Sequence, residues 1–211
     1  MPVFTFERLT DRDREAFISL MRAAFDEDPL FETLFGSSGS RGRLANDHLL
    51  PAFAFRQGLA RRSELWGCYR EGALVGAYAM EASNHVGLSA AVTVAQTIAR
   101  AAVLSLRLPI RATVLLNRYM RHSRKLAPSV PHHYLLMIGV APGAQGAGIG
   151  SALPAHAAER SAFCARSRGV ALDTEQSANE AWYQARGYAK TGESQLGGLR
   201  VIGMFYASAD G

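Results

Sequence analysis

Acidic residues are missing from one long segment of this sequence. The chain of 211 residues carries 18 Asp and Glu, but none of them lies between Ser83 and Ala158. That segment also holds seven basic residues, which exceeds the net charge of +5 and leaves the rest of the chain close to neutral. Because the positive charge is confined to one segment, the basic composition does not by itself indicate a nucleic-acid-binding protein.

Aromatic residues are also scarce among these basic positions. Four arginines recur near helical spacing, and Tyr119 is the only aromatic residue among them; they are Arg107, Arg111, Arg118 and Arg121. Surfaces that bind single-stranded nucleic acid interleave several aromatic side chains with their cations, so that bases can stack. We therefore expect no nucleic-acid partner.

Cysteine is rare as well. The two cysteines, Cys68 and Cys164, form no CxxC pair and have no spacing typical of zinc ligands. This pattern excludes a disulfide framework and predicts a reduced, cytoplasmic protein without a metal site. The N-terminus has no signal-peptide pattern. The one membrane-like run, residues 86–106, is interrupted by Gln96 and Arg100, which favours a packed helix over a membrane span.

The remaining composition is that of a globular domain. Hydrophobic residues make up 48% of the chain and charged residues 19%, with no internal repeat. We expect a single domain over residues 1–211 with a mixed α/β fold. The patterns run in the order strand, two helices, hairpin, helical insertion over 86–125, long strand, glycine-rich turn with helix, strand, short helix and final strands. In the hairpin, Gly72 supplies the positive φ that a tight turn requires.

The turn after the long apolar strand carries the strongest chemical signal. Four glycines occur in eight residues, from Gly143 to Gly150, and then a helix begins. Glycines leave backbone N–H groups uncovered at a helix N-terminus, where unpaired donors and the helix dipole favour an anion such as a pyrophosphate. The turn is neither a Walker loop nor a dinucleotide fingerprint, since no Lys-Ser/Thr pair follows and position 151 is serine. A turn that serves only the chain reversal is the alternative.

Two motifs together resemble a known family. The pattern Gln145-x-x-Gly148-x-Gly150 after an apolar strand is similar to the acetyl-CoA signature of the GNAT superfamily of N-acetyltransferases. The second block runs from Asn179 through Tyr183 to Gly187-Tyr188 and resembles the helix and strand that follow in that family. Within the superfamily, the run from Asp173 to Asn179 that leads into Tyr183, together with His132-His133-Tyr134 before the strand, looks like the puromycin N-acetyltransferase-type branch.

The resemblance implies a fold, a reaction and a co-substrate. The expected fold is a central twisted mixed sheet of about seven strands, splayed at the acetyl-CoA site and flanked by helices, with the insertion before the fourth strand. Residues 131–206 would form the acetyl-CoA-binding core. The implied reaction is transfer of the acetyl group of acetyl-CoA to a primary amine of a small molecule. A non-catalytic acyl-CoA-binding sensor and a protein N-acetyltransferase remain alternatives, and a homodimer is an allowed assembly.

The resemblance also assigns roles to individual residues. Tyr183 would act as general acid toward the CoA thiolate, and Asn179, one helical turn earlier, would bind the pantetheine region. The backbone of the strand would pair with the pantetheine arm and the turn would hold the pyrophosphate. The expected acetyl-CoA-binding residues are Ile138, Gly139, Val140, Gln145, Gly146, Ala147, Gly148, Ile149, Gly150, Ser151, Asn179 and Tyr183.

The sequence says less about the residues that bind the acceptor amine than about those that bind acetyl-CoA. Asp26 and Asp28 lie where the acceptor loop of the family lies, so we expect them to bind a cationic amine. The alternative is that these carboxylates only solvate a helix end. The general base is left open among four residues and a water chain; the residues are Glu81, His85, Asp173 and Glu175.

Overall fold

The computed structural model describes residues 4–59, 63–81 and 108–208. Its strands are β1 (Thr5–Arg8), β2 (Glu64–Arg70), β3 (Ala73–Glu81), β4 (His133–Val140), β5 (Gly169–Thr174), β6 (Ala189–Leu196) and β7 (Leu199–Ala207). Its α-helices are α1 (Arg14–Ala24), α2 (Pro29–Phe35), α3 (Arg41–Asn46), α4 (Leu49–Gly58), α5 (Ile110–Leu126), α6 (Ile149–Ala162) and α7 (Ser177–Gln184). Short 3-10 turns span Asp11–Asp13 and Pro142–Ala144.

The strands form one open mixed sheet of seven strands in the order β1-β2-β3-β4-β5-β7-β6. Each neighbouring pair is antiparallel except β4 and β5, which are parallel. This arrangement confirms the expected mixed α/β fold.

Helices cover both faces of this sheet, and strand β3 shows why. Ala77 and Ala79 pack into a core with α1 and α4, whereas Tyr78 and Met80 pack into a second core with α6. All four side chains are fully buried. Side chains alternate between the two faces of a strand, so an unbroken apolar run indicates a strand that is covered on both sides.

Two local predictions can be checked against the backbone at the turns. Gly72 has φ +78° in the hairpin turn, which confirms the predicted positive φ. The sequence pattern Asp28-Pro29 predicts the end of the first helix there, but that helix already stops at Ala24. Instead Pro29 begins α2, and the Asp28 carboxylate accepts hydrogen bonds from the N–H groups of Leu30 and Phe31. Proline suits the first position of a helix because its missing N–H would have no partner there.

The helix after the glycine-rich turn is shorter than its pattern predicts. The pattern extends to Arg168, but α6 ends at Ala162. The chain turns back there because the hydroxyls of Ser161 and Ser167 both hydrogen-bond to the carbonyl of Gly169 and to the ring of His133. These bonds close the loop that leads into β5.

Part of the helical insertion lies within the described residues. The sequence pattern predicts a helix from Ile110 to His122 in its second half; the observed helix, α5, begins at Ile110 and continues to Leu126. The predicted first half, residues 90–107, and the membrane-like run at 86–106 lie outside the described residues. Among the residues that are described, no helix is long and apolar enough to cross a membrane.

Candidate active site

Strands β4 and β5 separate soon after they meet. They pair only through His133 with Val170 and Tyr134 with Ala171, although β4 continues to Val140. On its other side β4 stays paired with β3 along its length, with one irregularity at Leu136 that bends the strand. The parallel strands therefore open into a cleft toward their C-terminal ends.

The backbone of β4 faces this cleft with unused hydrogen-bonding groups. The N–H of Ala141 donates to the carbonyl of Val75 on the β3 side, at 2.9 Å. Because successive residues of a strand direct their N–H and C=O groups to opposite sides, those of Val140 and, two residues earlier, Ile138 point to the cleft. Gly139 between them faces α1, where a Cβ atom would lie 2.9 Å from that of Ala24.

The turn after β4 exposes backbone N–H groups. Gly146 and Gly148 have φ of +79° and +83°, and Gly148 is the N-cap of α6. The N–H groups of Gly146, Ala147 and Gly148 donate to no acceptor among the described residues. A Cβ at either glycine would meet nothing within 4 Å, so the turn is open on that side. The bare donors and the N-terminus of a 14-residue helix make a surface that suits a pyrophosphate.

Arg186 adds a positive charge to this turn, and the sequence motifs do not point to it. Its guanidinium donates to the hydroxyl of Ser151 from two nitrogens, at 2.8 and 3.2 Å. It also lies 3.5 Å from the centre of the Trp182 ring and donates to the Trp182 carbonyl. Three contacts thus hold a cation beside the first turn of α6. Arg186 is 35 residues from Ser151, so sequence spacing carries no signal of this pairing.

The two residues predicted from the second motif lie on α7 at the other side of the cleft. The side-chain amide of Asn179 donates to the Thr174 hydroxyl at the end of β5. Tyr183 is 8% exposed, and its ring contacts those of Trp182 and Tyr188. Its hydroxyl makes no hydrogen bond among the described residues. Burial raises the pKa of Tyr183 well above its usual value, and the charges of Asp173 and Glu175 raise it further, so the phenol keeps its proton.

The charges of three carboxyl groups act on one another, and we call Asp28, Asp173 and Glu175 the acidic cluster; two of the three, Asp173 and Glu175, also act on Tyr183. Burial raises the pKa of Glu175 to about 8, with added repulsion from Asp173 and Asp28. Burial also raises the pKa of Asp28, against the two N–H groups that the carboxylate accepts at the start of α2. The three residues come from the α1–α2 loop, from the end of β5 and from the residue after it.

Tyrosine hydroxyls organise the acidic cluster. The Tyr119 hydroxyl, on α5, hydrogen-bonds to one oxygen of Asp173 and to one oxygen of Glu175. The Tyr134 hydroxyl, on β4, bonds to the other oxygen of Asp173. The Arg124 guanidinium lies over the Tyr134 ring, 3.7 Å from its centre, and its charge also acts on Asp173.

Of the other residues considered for the acceptor side, Asp26 and Glu81 have partners outside the acidic cluster. Asp26 is exposed and accepts a hydrogen bond from the Ser38 hydroxyl at 2.7 Å. Glu81 forms an ion pair with Arg124 at 2.5 Å. His85 lies outside the described residues. Of the two aspartates that the sequence places on the acceptor loop, the structure brings only Asp28 to the carboxyl groups of β5.

Comparison with known proteins identifies the family. The sequence model of the GNAT acetyltransferase family matches residues 33–188. The chain therefore belongs to the GNAT acetyltransferase family. It is an acetyltransferase whose co-substrate is acetyl-CoA, and the open β4–β5 cleft and the bare N–H groups of the turn fit that molecule. A comparison with curated proteins finds no match.

Solved structures share the fold at low sequence identity. A Corynebacterium glutamicum protein described as histone acetyltransferase HPA2 and related acetyltransferase has a TM-score of 0.70 and 17% identity, covering 98% of this chain and 97% of its own. The Escherichia coli ribosomal-protein-S18-alanine N-acetyltransferase has a TM-score of 0.56 and 14% identity, covering 97% and 94%. A Brucella melitensis GNAT acetyltransferase in complex with acetyl-CoA has a TM-score of 0.50 and 13% identity, covering 99% and 91%.

Proposed function

We propose that this protein transfers the acetyl group of acetyl-CoA to a primary amine of a small molecule. The observation that carries the proposal is the position of the acidic cluster, beside Tyr183 and at the open end of β4 and β5. A partly buried set of carboxyl groups attracts an ammonium group, and the cleft brings a thioester to the same place. Asp28, Asp173 and Glu175 are all half-buried, which favours a small amine over an extended protein chain as the acceptor.

The acetyl-CoA half of the proposal rests on β4, the turn and α7. The N–H and C=O groups of Ile138 and Val140 would pair with the pantetheine arm in the manner of an added strand. The N–H groups of the turn, from Gln145 to Ser151, would hold the pyrophosphate. The Asn179 amide would bind the pantetheine region, and the Val140 N–H would stabilise negative charge on the thioester oxygen during attack.

Tyr183 would protonate the departing sulfur. Its hydroxyl is available, because no described residue accepts or donates a hydrogen bond to it. Its raised pKa keeps it protonated across the neutral range, so it can act as a donor whenever the thiolate forms. Asp28 would help to hold the ammonium group. Asp26 would not contact the ammonium group and would attract it only through its negative charge on the same loop.

The test combines an acceptor screen with a matched pair of variants. Purified protein is incubated with acetyl-CoA and a panel of primary amines, aminonucleosides of the puromycin type included, while thiol release and product mass are measured. For the best amine, we expect Tyr183→Phe to lower kcat about 100-fold at saturating acetyl-CoA. Tyr188→Phe is the control, because the Tyr188 hydroxyl is buried nearby without a hydrogen-bond partner among the described residues, and kcat should be unchanged.

Two outcomes would contradict the proposal. Full turnover by Tyr183→Phe would remove the general acid assignment while leaving acetyl transfer in place. Tight binding of acetyl-CoA without thiol release for any amine or peptide would instead identify an acyl-CoA-binding sensor. Acetylation of peptides alone would show a protein acetyltransferase.

A further inference from the structure

Two members of the acidic cluster, Asp173 near the end of β5 and Glu175 just after it, use their carboxyl oxygens differently. Both oxygens of Asp173 accept hydrogen bonds, one from Tyr119 and one from Tyr134. Glu175 contacts Tyr119 through one oxygen, and its second oxygen has no bond to another residue among those described. Asp173 is therefore held on both sides, whereas Glu175 keeps one oxygen for a further partner.

The contacts of Tyr119 require an extra proton. A phenol has a single proton to donate, yet the Tyr119 hydroxyl lies within hydrogen-bonding reach of carboxyl groups on both Asp173 and Glu175. Both contacts can be hydrogen bonds only if one carboxyl brings its own proton. The direction of the Glu175 pKa, raised by burial and by Asp173 and Asp28, identifies Glu175 as the group that holds it.

We propose that Glu175 is the general base that accepts a proton from the ammonium group of the acceptor, and that Tyr119 positions it from α5. This inference rests on the proposed function and deepens it. It assigns the acceptor as an alkylammonium, a cation at neutral pH, and it gives the helical insertion a part in the reaction.

The proton balance of the step is complete. The ionised Glu175 carboxylate takes one N–H proton, which leaves a neutral amine with a free electron pair. That pair forms the new C–N bond at the thioester carbon, and the C–S bond breaks with its electrons on sulfur. Tyr183 donates its proton to the sulfur, and the second proton released from nitrogen restores the phenol. Glu175 then gives its proton to solvent, so one proton is released for each acetyl group transferred.

The charged surroundings suit this transfer. Glu175 is faced by Asp173 on β5, by Asp28 from the α1–α2 loop, by Tyr119 on α5 and by Tyr183 on α7. The carboxyl groups raise the affinity of Glu175 for a proton toward that of an amine, which makes proton transfer between them close to balanced. The charge of an entering ammonium also favours the ionised carboxylate, so the cluster is ready to accept a proton once the amine has arrived.

The test uses the pH dependence of kcat/KM with a simple alkylamine of pKa above about 10 that the acceptor screen has identified. Such an amine stays cationic below about pH 9, so any change of slope in that range belongs to the protein. For the wild type we expect kcat/KM to rise with pH and to level off near pH 8. For Glu175→Gln we expect a loss of about 100-fold at pH 8 and a continuous rise without a plateau, because only the rare neutral amine then reacts.

Two further variants separate a base from a structural residue. Tyr119→Phe should keep the plateau but move it to higher pH, because the Tyr119 hydroxyl can donate to the ionised Glu175 carboxylate and so lowers the pKa of Glu175. Glu27→Gln is the matched control, an exposed carboxyl group beside Asp28, and its profile should be that of the wild type. If Glu175→Gln keeps the wild-type plateau, the base assignment is wrong and acetyl transfer itself is unaffected.

A measurement without any acceptor distinguishes the two proposals. Carboxyl carbon NMR of the wild type, with the Glu175 signal assigned by its loss in Glu175→Gln, should show a glutamate that titrates near pH 8. Titration of Glu175 in the ordinary range of glutamates overturns this inference even if amines are acetylated. A raised titration in a protein that acetylates no amine overturns the proposed function, and the base assignment then falls with it.

Discussion

Removal of the Arg186 guanidinium should weaken the binding of CoA, and the loss should come only from the contact with the phosphate groups. Arg186 is held beside the first turn of α6 by the Ser151 hydroxyl and by stacking on Trp182. The nearby turn presents N–H groups that donate to no described residue, so a pyrophosphate bound there would lie next to a fixed positive charge. Arg186→Ala removes this charge but leaves the backbone donors in place.

The expected loss follows from the surroundings of the side chain. A hydrogen bond to a charged group contributes about 1.5–3 kcal/mol. Arg186 is only partly buried, so solvent screening places its contribution at the lower end of that range. Since about 1.4 kcal/mol corresponds to a factor of ten, the Kd for CoA should rise about tenfold. Arg186→Lys should recover part of the loss, because lysine keeps the charge but not the planar donor fork.

Isothermal titration with three ligands checks the reasoning. CoA and dephospho-CoA both carry the pyrophosphate and should both bind about tenfold more weakly to Arg186→Ala, whereas pantetheine, which has no phosphate, should be unaffected. If only CoA is weakened, Arg186 contacts the 3′-phosphate instead. Arg166→Ala, which removes an exposed arginine beyond the far end of α6, is the control for net charge. A Kd for CoA within twofold of the wild type would refute the assignment, as would equal weakening of pantetheine.

Two further predictions concern stability. Gly139→Ala should lower the free energy of unfolding by about 1–3 kcal/mol, because the new Cβ would lie 2.9 Å from the Cβ of Ala24 and 3.0 Å from the Met21 sulfur. Gly143→Ala is the control and should be near neutral, because its new Cβ would meet nothing within 4 Å. Equal melting temperatures of the two variants would contradict the packing of α1 on β4. Between about pH 5 and pH 8 the folded protein keeps a proton on Glu175 that the unfolded chain has lost, so stability falls as pH rises. The melting temperature of Glu175→Gln should therefore fall less than that of the wild type over this range, and parallel melting curves would argue against a raised pKa.

Local features of the fold were predictable where the sequence marks them with residues of restricted conformation. The apolar run from His133 to Val140 predicts strand β4 with its observed bounds, because Pro131 and Pro142 lie on either side of the run. The hairpin turn follows from Gly72, whose φ few other residues adopt. Helix α2 was missed because Asp28-Pro29 is equally typical of a helix end and of a helix start, and only the packing of the following residues decides between them.

The sequence predicts the acetyl-CoA half of the candidate site better than it predicts the acceptor half. The glycine-rich turn and α7 are continuous motifs, so the sequence alone could predict the residues that form them. The acidic cluster and Arg186 could not, because their partners come from distant parts of the chain. Asp173 and Glu175 were two of four candidates for the base, and nothing in the sequence ranks them. The folded protein separates them, because the Tyr134 hydroxyl takes the second oxygen of Asp173, whereas the second oxygen of Glu175 has no bond to another described residue.

The position of α5 would allow the preference for the acceptor amine to change independently of the binding of acetyl-CoA. The acetyl-CoA turn and α7 lie wholly within residues 131–206, whereas Tyr119 reaches the acidic cluster from a helix outside that range. In the proposed reaction, substitutions along α5 would therefore change the surface beside the acceptor amine and leave the binding of acetyl-CoA as it is. A library restricted to the inward face of this one helix should yield variants with new amine preferences and an unaltered KM for acetyl-CoA.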